Sequence, residues 1–462
     1  MFKNFNQNIA LIDENQNEFT YEQLFSVSEE LFNNIGKRTL VFSICKNTIE
    51  SVIGYVTFIN NKIVPLMLPN KLDKEQLVLL LDTYKPEYIW TPIERIDDFN
   101  DFQKIYSWKN YTLLKTDNPT VPLFDELALL LTTSGSTGSP KLVRQSYKNL
   151  ISNTEAIVEY LNISSTERAI TTLPMNYTYG LSILNTHLYV GATILLTDKA
   201  IIKKEFWDFF KETNATSFGG VPYTYEMLKK IKFFNMQLPS LRYMTQAGGK
   251  LTPELHKEFA EFALDNNVKF IVMYGQTEAT ARMAYLPSEK ALEKYGSMGI
   301  AIPNGRFDLI DVDGNVINEP DTVGELVYYG DNVTLGYAEK YNDLSLGDER
   351  NGCLQTGDMA KQDSDGYYYI VGRKKRFLKL FGNRVNLDET ERLIKQAFNN
   401  IECACAGIDD KMYIYITDEK YSSDIKDYVS SKTHLNKSAF DIRIIDEIPK
   451  NDSGKTIYNQ LK

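Results

Sequence analysis

A short run rich in hydroxyl and glycine residues is the part of this chain whose composition best suits a chemical task. Residues 131–141 read LTTSGSTGSPK and follow an apolar, strand-like stretch, 127–131. Glycine lets backbone N–H groups approach an anion closely, and consecutive N–H groups form an anion-binding nest. Serine and threonine add donors, and Lys141 adds a point charge. The run favours a cradle for a polyphosphate, with a flexible Ser/Gly linker as the alternative.

The spacing of this run differs from the P-loop of the common NTPases. That motif needs Gly, four further residues and then Gly-Lys-Ser/Thr. Thr133 stands where the first glycine would precede Gly138, and Ser139 stands where the lysine would follow. The second Gly-Lys-Thr run, 454–456, fails as well, because Pro449 occupies the position of its first glycine. A phosphate site here therefore belongs to another class of protein.

Composition narrows the classes of function. The 462 residues are 43% apolar, which suits sizeable cores and, by length, about three domains. A net charge of −10 disfavours non-specific nucleic-acid binding. Four scattered cysteines and three histidines that form no pair indicate reduced thiols, with neither a disulfide framework nor a histidine-based metal site. We find no signal-peptide core and no long apolar run, and we expect a cytoplasmic protein without a membrane span.

Apolar runs with strand character alternate with helical patterns through the first two-thirds of the chain. The strands predicted there are 39–44, 127–131, 193–196 and 270–273, and the helices are 21–35, 74–84, 205–210 and 253–266. This alternation is typical of α/β layering with parallel sheets. From Gly299 onwards, short strands flank the turn signals at 313–315 and 365–366, which indicate hairpins. Beyond Arg373, a helix near 387–398 and strands at 412–416 and 442–445 could form a small separate domain.

Four further motifs follow the hydroxyl-rich run in a fixed order. They are YGQTE at 274–278, QTGD at 355–358, GRKK at 372–375 and PKNDSGK at 449–455. Each motif is weak alone, but their order and spacing together resemble the adenylate-forming (AMP-binding) superfamily. That superfamily contains acyl-CoA synthetases, peptide-synthetase adenylation domains and firefly luciferase. The resemblance covers roughly residues 9–462.

The resemblance implies an α/β fold class with two domains. Residues 1–373 would form a large N-terminal domain of layered α/β subdomains plus a β-rich subdomain, which binds ATP and the acyl substrate. Residues 374–462 would form a small, mobile C-terminal α+β domain that carries a catalytic lysine. Lys375 lies at the hinge position, and Lys379 occupies a position that serves the second half-reaction in some relatives.

The resemblance also implies the chemistry and the cofactors. A carboxylate attacks the α-phosphorus of Mg·ATP to give an acyl-adenylate and pyrophosphate, and a thiol of CoA or of a carrier protein's phosphopantetheine then takes the acyl group. Phosphoryl transfer depends mainly on positioning and charge neutralisation, so the chain needs donors, cations and a carboxylate for Mg²⁺. The implied partners are a small carboxylic acid and, as acceptor, CoA or an acyl carrier protein.

By resemblance, each motif contributes named residues to this chemistry. The catalytic residues would be Lys455, Glu278 and Thr133, with Glu278 as the Mg²⁺ ligand. The β- and γ-phosphates would be held by Thr133, Ser134, Gly135, Ser136, Thr137, Gly138 and Lys141. The adenine, the α-phosphate and the substrate would meet Gly248, Gly249, Lys250, Tyr274, Gly275, Gln276 and Thr277. Asp358 and Arg373 would reach the ribose, because a carboxylate accepts two hydroxyl donors at once.

The predicted acyl pocket departs from the family's pattern. It would be lined by Tyr177, Tyr179, Gly180 and Val221, and Tyr177 stands where acyl-CoA synthetases often carry a histidine. No aspartate occurs between Pro174 and Leu196, although amino-acid-activating relatives usually place one there to pair with the substrate amine. This absence disfavours an ordinary α-amino acid as the substrate.

Several alternatives stay open at the level of the sequence. A stand-alone enzyme that adenylates an amino acid and loads a carrier protein is the second hypothesis, and a non-catalytic nucleotide-binding relative is the third. The basic residues Arg373, Lys374, Lys375, Arg376, Lys379 and Arg384 could form a solvated hinge face or a site for the phosphates of CoA or phosphopantetheine.

Overall fold

The computed structural model describes residues 1–132, 141–381, 383–398, 401–408, 410–450 and 456–461. Its α-helices are Tyr21–Asn33, Ile49–Asn60, Lys74–Tyr84, Tyr147–Leu161, Thr178–Tyr189, Lys204–Glu212, Pro222–Lys230, Pro253–Asp265, Leu387–Ala397 and Ser422–Thr433. Short 3-10 helices are Ile93–Phe99, Phe233–Asn235, Thr277–Ala279, Ser288–Lys290, Tyr341–Ser345, Lys374–Arg376, Glu419–Tyr421, Lys437–Ala439 and Tyr458–Gln460. The predicted helices all occur, with ends that differ by one or two residues, and the α/β fold class is confirmed.

Local capping explains where the first helix begins. Thr20 Oγ1 accepts a hydrogen bond from the Gln23 N–H at 3.2 Å, and Gln23 Oε1 accepts one from the Thr20 N–H at 2.8 Å. This reciprocal pair is a capping box, which a threonine followed three residues later by a glutamine favours. It satisfies two N–H groups that a helix start otherwise leaves without a partner.

The chain divides into two compact units. One consists of Met1–Phe307 and Tyr328–Leu354, and the other of Asp308–Val327 and Gln355–Lys462. The sequence-based boundary between residues 373 and 374 stays a prediction.

A nine-stranded sheet in the first unit positions several candidate residues. Its strands lie in the order Ile300–Ala301, Ala284–Tyr285, Lys269–Tyr274, Tyr243–Gln246, Ser217–Gly220, Arg168–Ile170, Thr193–Leu195, Ile9–Ile12 and Glu18–Thr20. Those from Lys269–Tyr274 to Ile9–Ile12 pair in parallel, as predicted. Neighbouring parallel strands end at the same edge of a sheet, where ligands commonly bind. The segments that follow these strands therefore begin at one edge of the sheet, after Gly220, Gln246 and Tyr274.

An eight-stranded mixed sheet in the same unit contains the two strands that flank the hydroxyl-rich run. The order is Gly336–Ala338, Leu142–Ser146, Leu127–Thr132, Val64–Pro69, Leu40–Cys45, Tyr88–Pro92, Tyr111–Lys115 and Gln103–Trp108. Leu127–Thr132 and Leu142–Ser146 are antiparallel neighbours, and Thr132 faces Leu142 across the pair. Residues 133–140 therefore connect two paired strands, the first of which is buried along most of its length.

The remaining sheets are smaller. A four-stranded sheet has the order Arg306–Ile310, Gly324–Tyr329, Cys353–Gln362 and Tyr368–Arg373. Within the second unit, Phe377–Leu380 pairs with Asn383–Asn386, and Cys403–Ile408, Lys411–Ile416 and Phe440–Ile444 form a three-stranded sheet. The predicted hairpin at 365–366 is confirmed, because Cys353–Gln362 and Tyr368–Arg373 are antiparallel and Gly366 adopts φ +87° at the turn.

The helix Ile49–Asn60 lies in the core of the first unit. Every residue from Ile49 to Ile59 is buried, so this helix has no polar face whose spacing the sequence could reveal. Gly54 allows close packing against Trp90, whose indole N–H donates to the Glu50 carbonyl at 3.0 Å. A Cβ at Gly54 would lie 2.5 Å from Trp90 Cδ1.

We expect Gly54→Ala to lower the free energy of unfolding by about 1–2 kcal/mol. Alanine favours a helix by about 1 kcal/mol, but overpacking a closed core costs about 1–3 kcal/mol. Urea unfolding of both proteins measures the difference. The cost should shrink in a Trp90→Phe background, where the indole is absent, because the two sites are in contact. A gain in stability on Gly54→Ala alone would contradict this packing.

Candidate active site

Glu278 lies on a tight turn at the edge of the nine-stranded sheet. The strand Lys269–Tyr274 ends, and the 3-10 helix Thr277–Ala279 follows. Gly275 is required for the close approach of this turn to the returning chain, because a Cβ there would lie 1.7 Å from the carbonyl oxygen of Ala281. Thr280 adopts φ +64°, which is costly for a β-branched residue and marks a conformation that its surroundings impose.

Contacts from a neighbouring segment fix the backbone of this turn. The Glu278 carbonyl accepts hydrogen bonds from the Thr334 N–H and Oγ1 at 3.0 Å each, and from Arg350 Nη1 at 3.1 Å. The Asn332 amide donates to the carbonyls of Ala279 and Arg282 at 2.9 Å each. Because both flanks of Glu278 are held, the backbone that carries its carboxylate is fixed.

Tyr337 links the Glu278 carboxylate to Lys141. Its hydroxyl donates to Glu278 Oε1 at 2.8 Å, and Lys141 Nζ lies 3.8 Å from the centre of its ring. Lys141 Nζ is also 3.8 Å from Glu339 Oε1, and the guanidinium carbon of Arg350 lies 4.6 Å from the Tyr337 ring centre. The ring therefore holds two cations by cation–π attraction while its hydroxyl orients the carboxylate.

Burial keeps the Tyr337 hydroxyl protonated. Desolvation first, and then the negative charge of Glu278, raise the pKa of Tyr337 to about 12. The hydroxyl therefore stays a hydrogen-bond donor to Glu278 at neutral pH.

A buried arginine positions the strand that carries Tyr337. Gly336–Ala338 pairs antiparallel with Leu142–Ser146, with Tyr337 opposite Val143. Arg144 is fully buried, and its Nε donates to the Tyr337 carbonyl at 2.9 Å while its Nη2 pairs with Glu349. Desolvation lowers the pKa of Arg144, although the ion pair with Glu349 opposes this shift. Lys141 directly precedes the strand of Arg144, so one strand pair places both Lys141 and Tyr337.

The candidate acyl-pocket residues meet where Gly248 allows a close approach. Gly248 adopts φ +82°, and a Cβ there would lie 2.7 Å from the Tyr177 hydroxyl oxygen and 3.1 Å from Val221 Cγ1. Burial raises the pKa of Tyr177 to about 12, so its hydroxyl is neutral. Gly249 packs beside Pro222, where a Cβ would lie 3.0 Å from the ring Cγ. Tyr177, Val221 and Gly248 are therefore neighbours.

Tyr179 packs beside Tyr177, with their ring centres 6.4 Å apart, whereas Gly180 lies in different surroundings. The Tyr179 hydroxyl lies 2.8 Å from Thr245 Oγ1 and is buried. Gly180 faces the chain before the helix, since a Cβ there would lie 2.4 Å from the Pro174 carbonyl oxygen. Tyr274 and Gln276 are half-buried and contact each other, with Gln276 Nε2 3.2 Å from the Tyr274 hydroxyl, while Lys250 is exposed.

Asp358 and Arg373 meet within the second unit. They are opposite each other on paired strands, and Arg373 Nε lies 2.7 Å from Asp358 Oδ1. Asp358 is almost fully buried, and its N–H donates to Thr356 Oγ1 at 3.0 Å. The ion pair with Arg373 therefore orients the Asp358 carboxylate, while the bond to Thr356 holds the Asp358 backbone.

Two members of the basic cluster, Lys374 and Arg376, form ion pairs within the second unit. Lys374 Nζ lies 2.6 Å from Glu325 Oε2, and Arg376 is an internal ion-pair residue that contacts both Asp388 and Glu391. Lys375 is exposed. Arg376 therefore serves the folding of this unit rather than a free phosphate-binding face.

Some sequence-based candidates lie outside the described residues. These are Thr133, Ser134, Gly135, Ser136, Thr137, Gly138 and Lys455. Sequence reasoning, in turn, missed Tyr337, Arg350 and Arg282. The isolated charge of Arg282 within the run ATARMA was a signal of its importance, whereas no pattern marked the ring of Tyr337.

The donor set around Glu278 fits a magnesium ion held with a nucleotide. Mg²⁺ in such sites takes one or two protein carboxylates, with substrate phosphates and waters as its other ligands. Within the described ranges, no group of three or more histidine, cysteine, aspartate or glutamate side chains could hold a metal by itself. Among the same residues, no helix is both long and apolar enough to cross a membrane.

Comparison with known proteins defines the class. Residues 2–338 match the AMP-binding enzyme family, so the chain belongs to that family. Among its relatives, 4-coumarate–CoA ligase-like 4 of Oryza sativa subsp. japonica is 28% identical over 352 residues, covering 73% of this chain and 63% of that protein. Indoleacetate–CoA ligase of Aromatoleum aromaticum is 31% identical over 311 residues, covering 65% and 59%. The alignments thus span less than two-thirds of the length of these two relatives.

A solved structure extends the likeness to the whole chain. The O-succinylbenzoate coenzyme A synthetase of Bacillus subtilis, determined with AMP, superposes with a TM-score of 0.80 at 22% identity. The match covers 99% of this chain and 95% of that one. The fold is therefore that of AMP-binding enzymes.

We expect Tyr337→Phe to weaken binding of Mg·ATP by about 10-fold and to leave binding of metal-free ATP unchanged. The phenylalanine ring still faces Lys141 and Arg350, but the hydrogen bond to the charged Glu278 is lost, and such bonds contribute about 1.5–3 kcal/mol. Isothermal titration of ATP with and without Mg²⁺ measures both affinities. Tyr189→Phe is the matched control, because its hydroxyl donates to Glu155 at 2.7 Å on an exposed surface. Equal effects of the two substitutions would remove Tyr337 from the site.

Proposed function

We propose that the protein is an ATP-dependent carboxylate ligase. It forms an acyl-adenylate and pyrophosphate and then transfers the acyl group to a pantetheine thiol of CoA or of a carrier protein. The observation that carries this proposal is the placement of Lys141 and the Glu278 carboxylate around Tyr337. The names of the relatives, which are CoA ligases, support the same reaction class.

In the first half-reaction, a carboxylate oxygen of the acid attacks the α-phosphorus of ATP. The bond between the α-phosphorus and the bridging oxygen breaks, and its electron pair leaves with pyrophosphate. Mg²⁺, when held by Glu278, supplies charge neutralisation and orientation to the phosphates. Lys141 supplies a further positive charge for the departing pyrophosphate. Thr133, Ser134, Gly135, Ser136, Thr137 and Gly138 are proposed to donate to the same phosphates.

The other candidate residues take the roles that the resemblance implies. Asp358 and Arg373 bind the ribose, and Gly248, Gly249, Lys250, Tyr274, Gly275, Gln276 and Thr277 adjoin the adenine, the α-phosphate and the acid. Tyr177, Tyr179, Gly180 and Val221 form the acyl pocket. Lys455, in a C-terminal domain that begins at residue 374, stabilises the charge on the α-phosphate and the carboxylate. Lys375 is the hinge about which that domain rotates.

In the second half-reaction, a thiolate attacks the carbonyl carbon of the acyl-adenylate. The bond from that carbon to the phosphate oxygen breaks, AMP leaves, and a thioester forms. Lys379 is proposed to act at this stage. The alternative acid is an amino acid, which the missing aspartate between Pro174 and Leu196 disfavours.

Pyrophosphate–ATP exchange with a panel of carboxylic and amino acids tests the reaction. We expect exchange with simple carboxylic acids and none with free α-amino acids. Exchange with amino acids alone would favour the carrier-loading enzyme. ATP binding without exchange for any acid would favour a non-catalytic nucleotide-binding relative.

Lys455→Ala should abolish exchange and still permit thioester formation from a pre-made acyl-adenylate. The lysine is needed only while charge builds on the α-phosphate during adenylation. One assay with ATP and the acid measures adenylate formation, and a separate assay with synthetic adenylate and the thiol measures thioester formation. Lys450→Ala is the control, because Lys450 forms an ion pair with Glu402 and has no assigned role. Loss of both half-reactions in folded Lys455→Ala protein would disprove this role.

A further inference from the structure

Arg282 is held at a fixed place beside the candidate acyl pocket. Its N–H donates to Asn153 Oδ1 at 3.2 Å, and its carbonyl accepts from Asn153 Nδ2 at 2.8 Å and from Asn332 Nδ2 at 2.9 Å. The side chain is 2% exposed. The segment that contains Glu278 therefore also places a buried guanidinium beside the candidate acyl pocket.

The contacts of this guanidinium leave its charge without a counter-ion. Nη2 donates to Ser182 Oγ at 3.0 Å, Nη1 contacts the Met273 sulfur, and the guanidinium carbon lies 4.1 Å from the centre of the Tyr179 ring. Nε has no hydrogen-bond partner. In the described part of the chain, no carboxylate pairs with Arg282, although a buried charge is costly unless it is paired.

The space beside Arg282 is small and mainly apolar, with a few neutral polar groups. A cavity with room for about one water molecule is lined by Ser182, His187, Tyr243, Thr245 and Arg282 among others. Desolvation lowers the pKa of His187 to about 4, so this ring is neutral at pH 7, and burial raises the pKa of Tyr243. Thr245 is hydrogen-bonded to Tyr179, which the sequence places in the acyl pocket. The lining therefore places one positive charge among apolar side chains and a few neutral donors and acceptors.

We propose that the acid activated by this enzyme carries a second carboxylate, which Arg282 binds at the closed end of the acyl pocket. This inference rests on the proposed function. Nε–H and the remaining N–H of Nη2 form a two-donor fork that matches the two oxygens of a carboxylate. The cavity has room for only about one water molecule, so a carboxylate enters it only if the lining shifts, and a short dicarboxylic acid is favoured over a long or branched one. The distant carboxylate would supply the missing counter-ion, while the other carboxylate is adenylated.

Pyrophosphate exchange with acids matched in length tests this specificity, using butanoate against butanedioate and pentanoate against pentanedioate. We expect the wild type to prefer the dicarboxylates by about 100-fold in kcat/KM, and Arg282→Met to lose that preference, because a buried donor site discriminates strongly against a substrate that lacks its partner. Arg242→Met is the matched control, since Arg242 pairs with Glu167 at 2.8 Å and is half-exposed. It should keep the wild-type preference.

Thermal unfolding gives a readout that does not depend on turnover. Without ligand, Arg282→Met should melt at the wild-type temperature or above it, because the substitution removes an unpaired buried charge. Butanedioate with ATP should raise the melting temperature of the wild type but not that of Arg282→Met. A strong fall in the melting temperature of ligand-free Arg282→Met would assign Arg282 a structural role and overturn the proposal.

The outcomes separate this inference from the proposed function. Exchange with monocarboxylates as fast as with dicarboxylates, at an unchanged ratio in Arg282→Met, overturns the dicarboxylate proposal and leaves the ligase intact. A dicarboxylate preference that survives Arg282→Met also overturns the assignment to Arg282. Absence of exchange with every acid in the wild type removes both proposals.

Discussion

The hydrogen bond from Tyr337 to Glu278 is the interaction on which the arrangement of the candidate site depends. It joins the turn after one sheet to the edge strand of another, and the same ring contacts Lys141 and Arg350. The backbone of each partner is also held by hydrogen bonds. Thr334 and Arg350 donate to the Glu278 carbonyl, and Arg144 donates to the Tyr337 carbonyl. The Glu278 carboxylate is thus oriented before any ligand binds, and for the magnesium-binding role that we propose this would be a source of catalytic positioning.

The two sheets of the first unit position different parts of the candidate site. Parallel strands of the nine-stranded sheet end together at Gly220, Gln246 and Tyr274. They bring the segments of the candidate acyl pocket and of Glu278 to one edge. The antiparallel pair Leu127–Thr132 and Leu142–Ser146 contributes Lys141 from the eight-stranded sheet. Glycine is required where these segments touch, as Gly275 and Gly248 illustrate, because any Cβ at either position would collide with a neighbouring segment.

Two buried arginines in this unit differ in a way that bears on function. Arg144 has an ion-pair partner in Glu349 and several carbonyl acceptors, so its charge is compensated within the fold. Arg282 is equally enclosed but meets a hydroxyl, a thioether and an aromatic face. The desolvation of a guanidinium is costly in both cases. The charge of Arg144 is thus neutralised within the folded protein, whereas Arg282 fits a binding site in which the ligand supplies the counter-ion.

The sequence by itself determined the α/β class, the amphipathic helices and the Thr20–Gln23 cap, because each of these depends on local periodicity or on side chains three residues apart. It also indicated the AMP-binding family, because the order and spacing of the five motifs can be read without knowing the fold. The helix Ile49–Asn60 is buried on all sides and has no alternation of polar and apolar residues. Its position in the core is explained only by packing against residues such as Trp90. Tertiary structure alone decided that Tyr337 meets Glu278, a residue 59 positions earlier in the chain. It also decided that Arg282 is buried without a carboxylate, because long-range contacts depend on how sheets and turns meet rather than on neighbours in the sequence.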